Sequence, residues 1–163
     1  MSTTALSRAH AACYAPAAWR PAVAAVPRRL FSARPLWSPD PVGPDPALAT
    51  LLTVLDSADI RPGMRVLHAG CGSGYATALI CHRTGDPALV TATTADPAEA
   101  AAARWRLAQA GCPAQVFIAR PEQGQARRAP YDRIVSTEPV GRPPAAWWAQ
   151  LTPGGRAAVP PQM

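Results

Sequence analysis

Residues 64–75 read Met-Arg-Val-Leu-His-Ala-Gly-Cys-Gly-Ser-Gly-Tyr, and this stretch decides the fold. A short apolar run, Val66-Leu67, leads into glycines at every second position, Gly70, Gly72 and Gly74, followed by an Ala/Leu/Ile-rich segment. The order is that of a strand, a tight glycine turn and a helix. Such turns bring bare backbone close to a ligand at a helix N-terminus. The spacing is G-x-G-x-G. The dinucleotide fingerprint G-x-G-x-x-G would need a third glycine where Tyr75 stands, which disfavours a nicotinamide-dependent oxidoreductase.

On either side of the turn, apolar runs and amphipathic stretches alternate. Strands are expected near residues 64–69, 88–94, 114–119, 131–137 and 156–160, and helices near 73–83, 97–110 and 143–150. In the helix over 97–110, Ala102, Trp105, Leu107 and Ala108 are expected to face the sheet. Alternation of this kind predicts an α/β fold with a doubly wound parallel sheet. Its ligand site lies at the strand C-termini near the topological switch point.

Upstream, Trp19, Val23 and Val26 mark the apolar face of a short helix over 14–26, which Pro27 ends. Residues 35–46 hold five prolines and read as an irregular connection. Asp45 and Pro46 then suit the cap and first turn of a helix with a Leu48, Leu51, Leu52 and Leu55 stripe. Residues 1–13, small, polar and aperiodic, are expected to be disordered, leaving 14–163 as a single domain with a helical element (14–60) and a core (61–163).

All sixteen basic residues are arginine and the formal charge is +6. With 20 prolines and abundant alanine, the arginines read as the codon usage of a GC-rich genome rather than a nucleic-acid surface. Cys13, Cys71, Cys81 and Cys112 form no C-x-x-C pair, and with His10, His68 and His82 they show no metal-ligand spacing. No apolar run reaches the length of a membrane span. A reducing cytoplasm, no membrane, no nucleic acid and no metal are therefore expected.

The G-x-G-x-G turn resembles motif I of class I S-adenosylmethionine-dependent methyltransferases. Three further segments narrow the likeness. Ala18 to Phe31 is similar to the N-terminal helix and Val-Pro-Arg-x-x-Phe element of protein-L-isoaspartate O-methyltransferases. Ala129-Pro130-Tyr131-Asp132-Arg133-Ile134 resembles that family's fourth strand, and Leu151-Thr152-Pro153-Gly154-Gly155-Arg156 its Leu-x-Pro-Gly-Gly-Arg turn. The chain also resembles the related methyltransferases found beside ATP-grasp peptide-maturation enzymes. The resemblance covers about residues 16–163 and implies a Rossmann-like class I methyltransferase sheet. It also implies S-adenosylmethionine as cofactor, and methyl transfer to a carboxylate of a peptide or protein bearing an acidic residue.

The resemblance assigns cofactor contacts residue by residue. Gly70, Cys71, Gly72, Ser73 and Gly74 take the place of the turn that approaches the methionine part of the cofactor, although glycines there also permit close helix–sheet packing. His68 stands where the family commonly has an acid, and reads equally as a ligand contact or a buried, satisfied histidine. Thr94 stands where a carboxylate normally holds the ribose. Asp96 is the nearby acid, with helix capping as its plainer role. Arg120 replaces the Asp expected beside the adenine, and Glu122 is a substitute if the loop shifts. No catalytic residue is assigned, since an ionised acceptor carboxylate needs no strong base and catalysis is chiefly positioning.

The segment between Phe31 and Pro46 is shorter than the family's and lacks its Ser/Thr-Gln-Pro element; Ser38 lies upstream in the shortened loop. The reading also expects the sheet without the family's C-terminal β-hairpin. These departures keep a second hypothesis open, a truncated or degenerate binding protein without transferase activity. Arg20, Arg28, Arg29 and Arg34 offer charge to an acidic peptide, or form an ordinary solvated face.

Overall fold

The computed structural model describes residues 3–32 and 45–161. Three helices lead into the sheet: α1 (Thr3–Cys13), α2 (Arg20–Ala25) and α3 (Pro46–Ser57). The remainder alternates as β1 (Val66–Ala69), α4 (Tyr75–Thr84), β2 (Val90–Thr94), α5 (Pro97–Gln109), β3 (Gln115–Ile118), β4 (Tyr131–Val135), α6 (Ala145–Gln150) and β5 (Leu151–Ala158). The five strands are parallel in the order β3-β2-β1-β4-β5. The chain order reverses between β1 and β4, so the glycine turn after β1 sits at the switch point, as its place in the sequence predicts.

Burial explains the layers. Every residue of β1 is buried, as expected for a central parallel strand covered on both faces. One face packs against the N-terminal helices, α4 and α5, with Trp19, Val23, Leu52, Leu55, Leu79, Ile80 and Leu107 in its core. The other face is smaller: Leu67, Ala69, Tyr131 and Ile134 meet Trp147 of α6.

Several elements differ from expectation. Residues 3–13 form α1 rather than a disordered terminus. The run contains neither Pro nor Gly and is rich in alanine, the strongest helix former, and Ala12 is buried in the main core. The helix expected over 14–26 is confined to α2, preceded by a 3-10 turn over Ala17–Trp19, while Trp19, Val23 and Val26 are buried as their spacing predicts. Helix α5 turns Ala100, Ala103 and Leu107 inward; Trp105 is 61% exposed and Ala108 lies on the solvent side. Strand β5 begins at Leu151, earlier than expected, and takes in Pro153-Gly154-Gly155 through an irregular register opposite Tyr131 and Arg133. Proline and glycine are tolerated in strands at such irregularities. Apart from Asp45 and Pro46, the proline-rich connection over 35–46, with Ser38, lies outside the described residues, as does Arg34.

Candidate functional site

Strand β1 ends at Ala69, and the next two amides, Gly70 N and Cys71 N, both donate to Thr93 O of β2 at 3.0 and 2.7 Å. This pins the turn to the strand beside it. Gly74 closes the turn as the N-cap of α4, with its N–H donating to Cys71 O at 2.9 Å. The glycines then divide by role. Gly74 lies at φ +93°, and a Cβ there would touch Phe31, Ala103 and Leu107 at 3.5–3.6 Å, so it serves packing. Gly72 lies at φ +53°, and a Cβ there would meet nothing within 4 Å. At Gly72 the bare backbone faces open space.

Gly72 also lines a cavity of about 240 Å³ whose walls include Arg28, Leu48, Tyr75, Thr137 and Glu138. Its floor is the turn itself, since Gly70, Cys71 and Ser73 also line it. Ser73 Oγ accepts from Tyr75 N at 3.3 Å and so supports the start of α4. The Cys71 thiol is pushed up to about 12, by burial first and then by the Glu99 charge. It stays protonated at neutral pH and is no nucleophile.

The acidic groups nearest the turn are ones that the sequence did not single out. Glu138 follows β4, and its Oε2 lies 3.0 Å from where a Cβ on Gly70 would sit. Burial, then the charges of Glu99 and Glu122, hold the Glu138 carboxyl above the usual range. Glu99, in the first turn of α5, accepts a hydrogen bond from Thr94 Oγ1. Thr94 therefore brings a carboxylate to the end of β2 although it carries none itself. Glu99 stands three residues after the cap Asp96, where an acid reads as part of a capping box, and that pattern concealed it. The signal for Glu138 was its position just past the C-terminus of a strand flanking the switch point.

The other expected contacts lie elsewhere. His68 is fully buried behind the turn, with Nδ1 2.7 Å from Thr77 Oγ1 and Nε2 3.1 Å from Thr137 Oγ1. Both ring nitrogens are engaged, and burial lowers its pKa to about 4, so the ring is neutral. This geometry favours the buried, satisfied histidine. Asp96 accepts from Ala98 N at 2.9 Å as the N-cap of α5. Arg120 is exposed at the start of a 3-10 turn, its backbone N–H donating to Gln123 Oε1 at 3.1 Å. His68, Gly74, Thr94, Asp96 and Arg120 are not among the described residues lining the cavity.

Comparison with known proteins adds a second line of observation. The family model for protein-L-isoaspartate(D-aspartate) O-methyltransferase (PCMT) matches residues 20–163. A protein-L-isoaspartate O-methyltransferase of Anaeromyxobacter dehalogenans is 34% identical over 152 residues, covering 85% of this chain and 70% of the relative. One of Aeropyrum pernix is 32% identical over 154 residues, covering 85% of this chain and 58% of the relative. A solved protein-L-isoaspartate O-methyltransferase superposes with a TM-score of 0.74 at 22% identity, over 87% of this chain and 50% of that one. A Plasmodium falciparum structure, described as a putative protein-L-isoaspartate O-methyltransferase in complex with S-adenosyl-L-homocysteine, has a TM-score of 0.66 at 13% identity, over 87% of this chain and 75% of that one. Both structures share the fold of this chain. The chain thus spans about half to three quarters of the length of these proteins.

Proposed function

The chain belongs to the protein-L-isoaspartate(D-aspartate) O-methyltransferase family, and from that premise we propose that it binds S-adenosylmethionine beside Gly72 and methylates a carboxylate of a peptide or protein. One observation carries the reading: the open backbone of Gly72 in a cavity walled by Glu138, at the switch point of the sheet. The residues present fit the cofactor. Gly72 leaves room for a ligand against the main chain, and Glu138 and Glu99 place negative charge beside the turn, suited to a cationic ligand. The Plasmodium relative binds S-adenosyl-L-homocysteine on the same fold. When bound, the cofactor supplies an electrophilic methyl group on a sulfonium.

The protein's own part is to position and to exclude water. An acceptor carboxylate is ionised at neutral pH and needs no base. Cys71, held as a neutral thiol, does not compete for the methyl group. Leu48, Leu51 and Tyr75 give the cavity an apolar wall that limits access of water. A reducing, cytoplasmic setting fits the four free cysteines. Among the described residues no helix is long and apolar enough to cross a membrane.

A second reading, a binding protein without transferase activity, draws on His68, whose ring is fully engaged, and on Thr94, which has no carboxylate of its own. Calorimetric titration with S-adenosylmethionine and transfer of labelled methyl to an isoaspartyl peptide separate the two. Binding with transfer supports the enzyme. Binding without transfer supports the second reading, and no binding up to millimolar ligand overturns the proposed cofactor.

A further inference from the structure

We propose that Arg28 is the group that binds the carboxylate of the acceptor. This inference rests on the proposed methyl transfer and assigns the acceptor end of the same cavity. Among the described residues lining that cavity, Arg28 carries the only positive charge.

Its position is firmly built. Arg28 opens a 3-10 turn over Arg28–Phe31, anchored by Phe31, which is buried and packs against Tyr75 with ring centroids 5.8 Å apart. A Cβ on Gly74 would lie 3.5 Å from the Phe31 ring, so the element carrying Arg28 is packed against the glycine turn. The guanidinium carbon lies 5.7 Å from the centroid of the Tyr75 ring, within reach of a cation–π interaction. Nη1 is 2.5 Å from Asp45 Oδ2. Asp45 is fixed in turn as the N-cap of α3, accepting from Ala47 N and Leu48 N at 2.9 and 3.3 Å. Burial opposes ionisation of Asp45, but the Arg28 hydrogen bond and the two amides outweigh it and hold its carboxyl below the usual range.

The side chain is therefore oriented before any ligand arrives. A guanidinium presents five N–H donors in a planar fork, so one edge can hold Asp45 while another takes a second carboxylate. Asp45 and Tyr75 act as positioning residues for that fork. An arginine beside the acceptor keeps the acceptor ionised and fixes its approach, the two requirements of this chemistry. Glu138, which lines the same cavity, repels an anion and suits a cation. The cavity thus offers a positive group, Arg28, to an anionic acceptor and a negative one, Glu138, to a cationic donor.

The test compares two labelled peptides that differ in one group, an isoaspartyl residue and its carboxamide. Binding is followed by fluorescence anisotropy, with and without S-adenosylhomocysteine, for the wild type and for Arg28→Gln. The wild type is expected to prefer the acid over the amide by roughly 10- to 100-fold, the effect of one charged hydrogen-bonded contact. In Arg28→Gln that ratio falls to near one, while S-adenosylmethionine affinity, titrated separately, stays within about threefold, below the effect of one direct charged contact. A variant that merely loosened the fold would weaken both peptides alike and leave the ratio unchanged, which overturns the proposal. A wild type that does not discriminate acid from amide overturns it as well. A wild type that discriminates through Arg28 yet binds no S-adenosylmethionine leaves the carboxylate site standing and removes only the methyl-transfer reading.

Discussion

His68 shows how a polar side chain beside a ligand turn can serve the fold. It sits between Thr77 of α4 and Thr137 just past β4, which engage both ring nitrogens in a fully buried site. Neutral imidazole is the form this site accepts, and burial lowers its pKa from 6.5 to about 4. The sign follows from linkage. Between those values the unfolded chain binds a proton that the folded chain refuses, so His68 contributes stability above about pH 6.5 that is lost progressively below it. The full loss, below pH 4, is on the order of 3 kcal/mol. Urea melts of wild type and His68→Gln across pH 4–7 measure it: the wild type should steepen its loss of stability in this window relative to the variant. Parallel curves would show that His68 does not titrate against the fold.

At the scale of the element, the glycine turn was legible from spacing, but its division of labour was not. Gly72 and Gly74 look alike in sequence; only their surroundings differ, open cavity for one and Phe31, Ala103 and Leu107 for the other. Gly72→Ala places a methyl in the cavity at a left-handed φ of +53°, with strain of roughly 1–2 kcal/mol. Gly74→Ala adds a less favourable φ of +93°, and the ordinary contacts of its methyl at 3.5–3.6 Å do not relieve that backbone strain. Gly74→Ala should therefore lower the melting temperature more, and Gly72→Ala should weaken S-adenosylmethionine binding more, as read by thermal melts and calorimetry on the same samples. The reverse ranking would contradict the assignment. Other elements show where spacing alone misleads. Apolar residues on α5 lie on two faces, and Ala100, Ala103 and Leu107 won the inward face because they let the helix approach β3, where Arg104 Nε donates to Val116 O at 3.1 Å. Trp105 was left outside. Glu99 was hidden for a related reason: a helix N-terminus explains an acid there without any ligand, and only the Thr94 hydrogen bond reveals where its carboxylate turns.

At the scale of the whole molecule, the fold was readable from alternation because a parallel sheet needs buried strands and amphipathic crossovers, and both leave periodic traces. The arginines left no such trace, since many act as clips within the structure. Arg133, 7% exposed, donates to Ala58 O and lies 3.7 Å from Asp59; Arg128 reaches Thr91 Oγ1 at 2.9 Å and Gln115 Oε1 at 3.0 Å; Arg65 reaches Pro130 O at 3.1 Å. Composition alone could not separate these from a charged face. The two layers of the sheet are also unequal, and the smaller one depends on Trp147, fully buried against Leu67, Ala69, Tyr131 and Ile134. Its Nε1 donates to Pro121 O at 2.8 Å, and the Pro121 ring lies 3.3 Å from the Cβ position of Gly70. Core packing on one face is thereby joined to the ligand turn at the C-terminal end of the central strand. Trp147→Ala should cost about 3–5 kcal/mol by urea melts, as for a buried tryptophan. Trp147→Phe keeps most of the apolar volume but leaves Pro121 O without its donor, for about 1–3 kcal/mol. Because the join reaches the turn, Trp147→Phe should also weaken S-adenosylmethionine binding under conditions where it remains folded. Unchanged affinity in a destabilised Trp147→Phe would confine this side chain to the core, whereas an Ala variant as stable as wild type would remove it from the core as well.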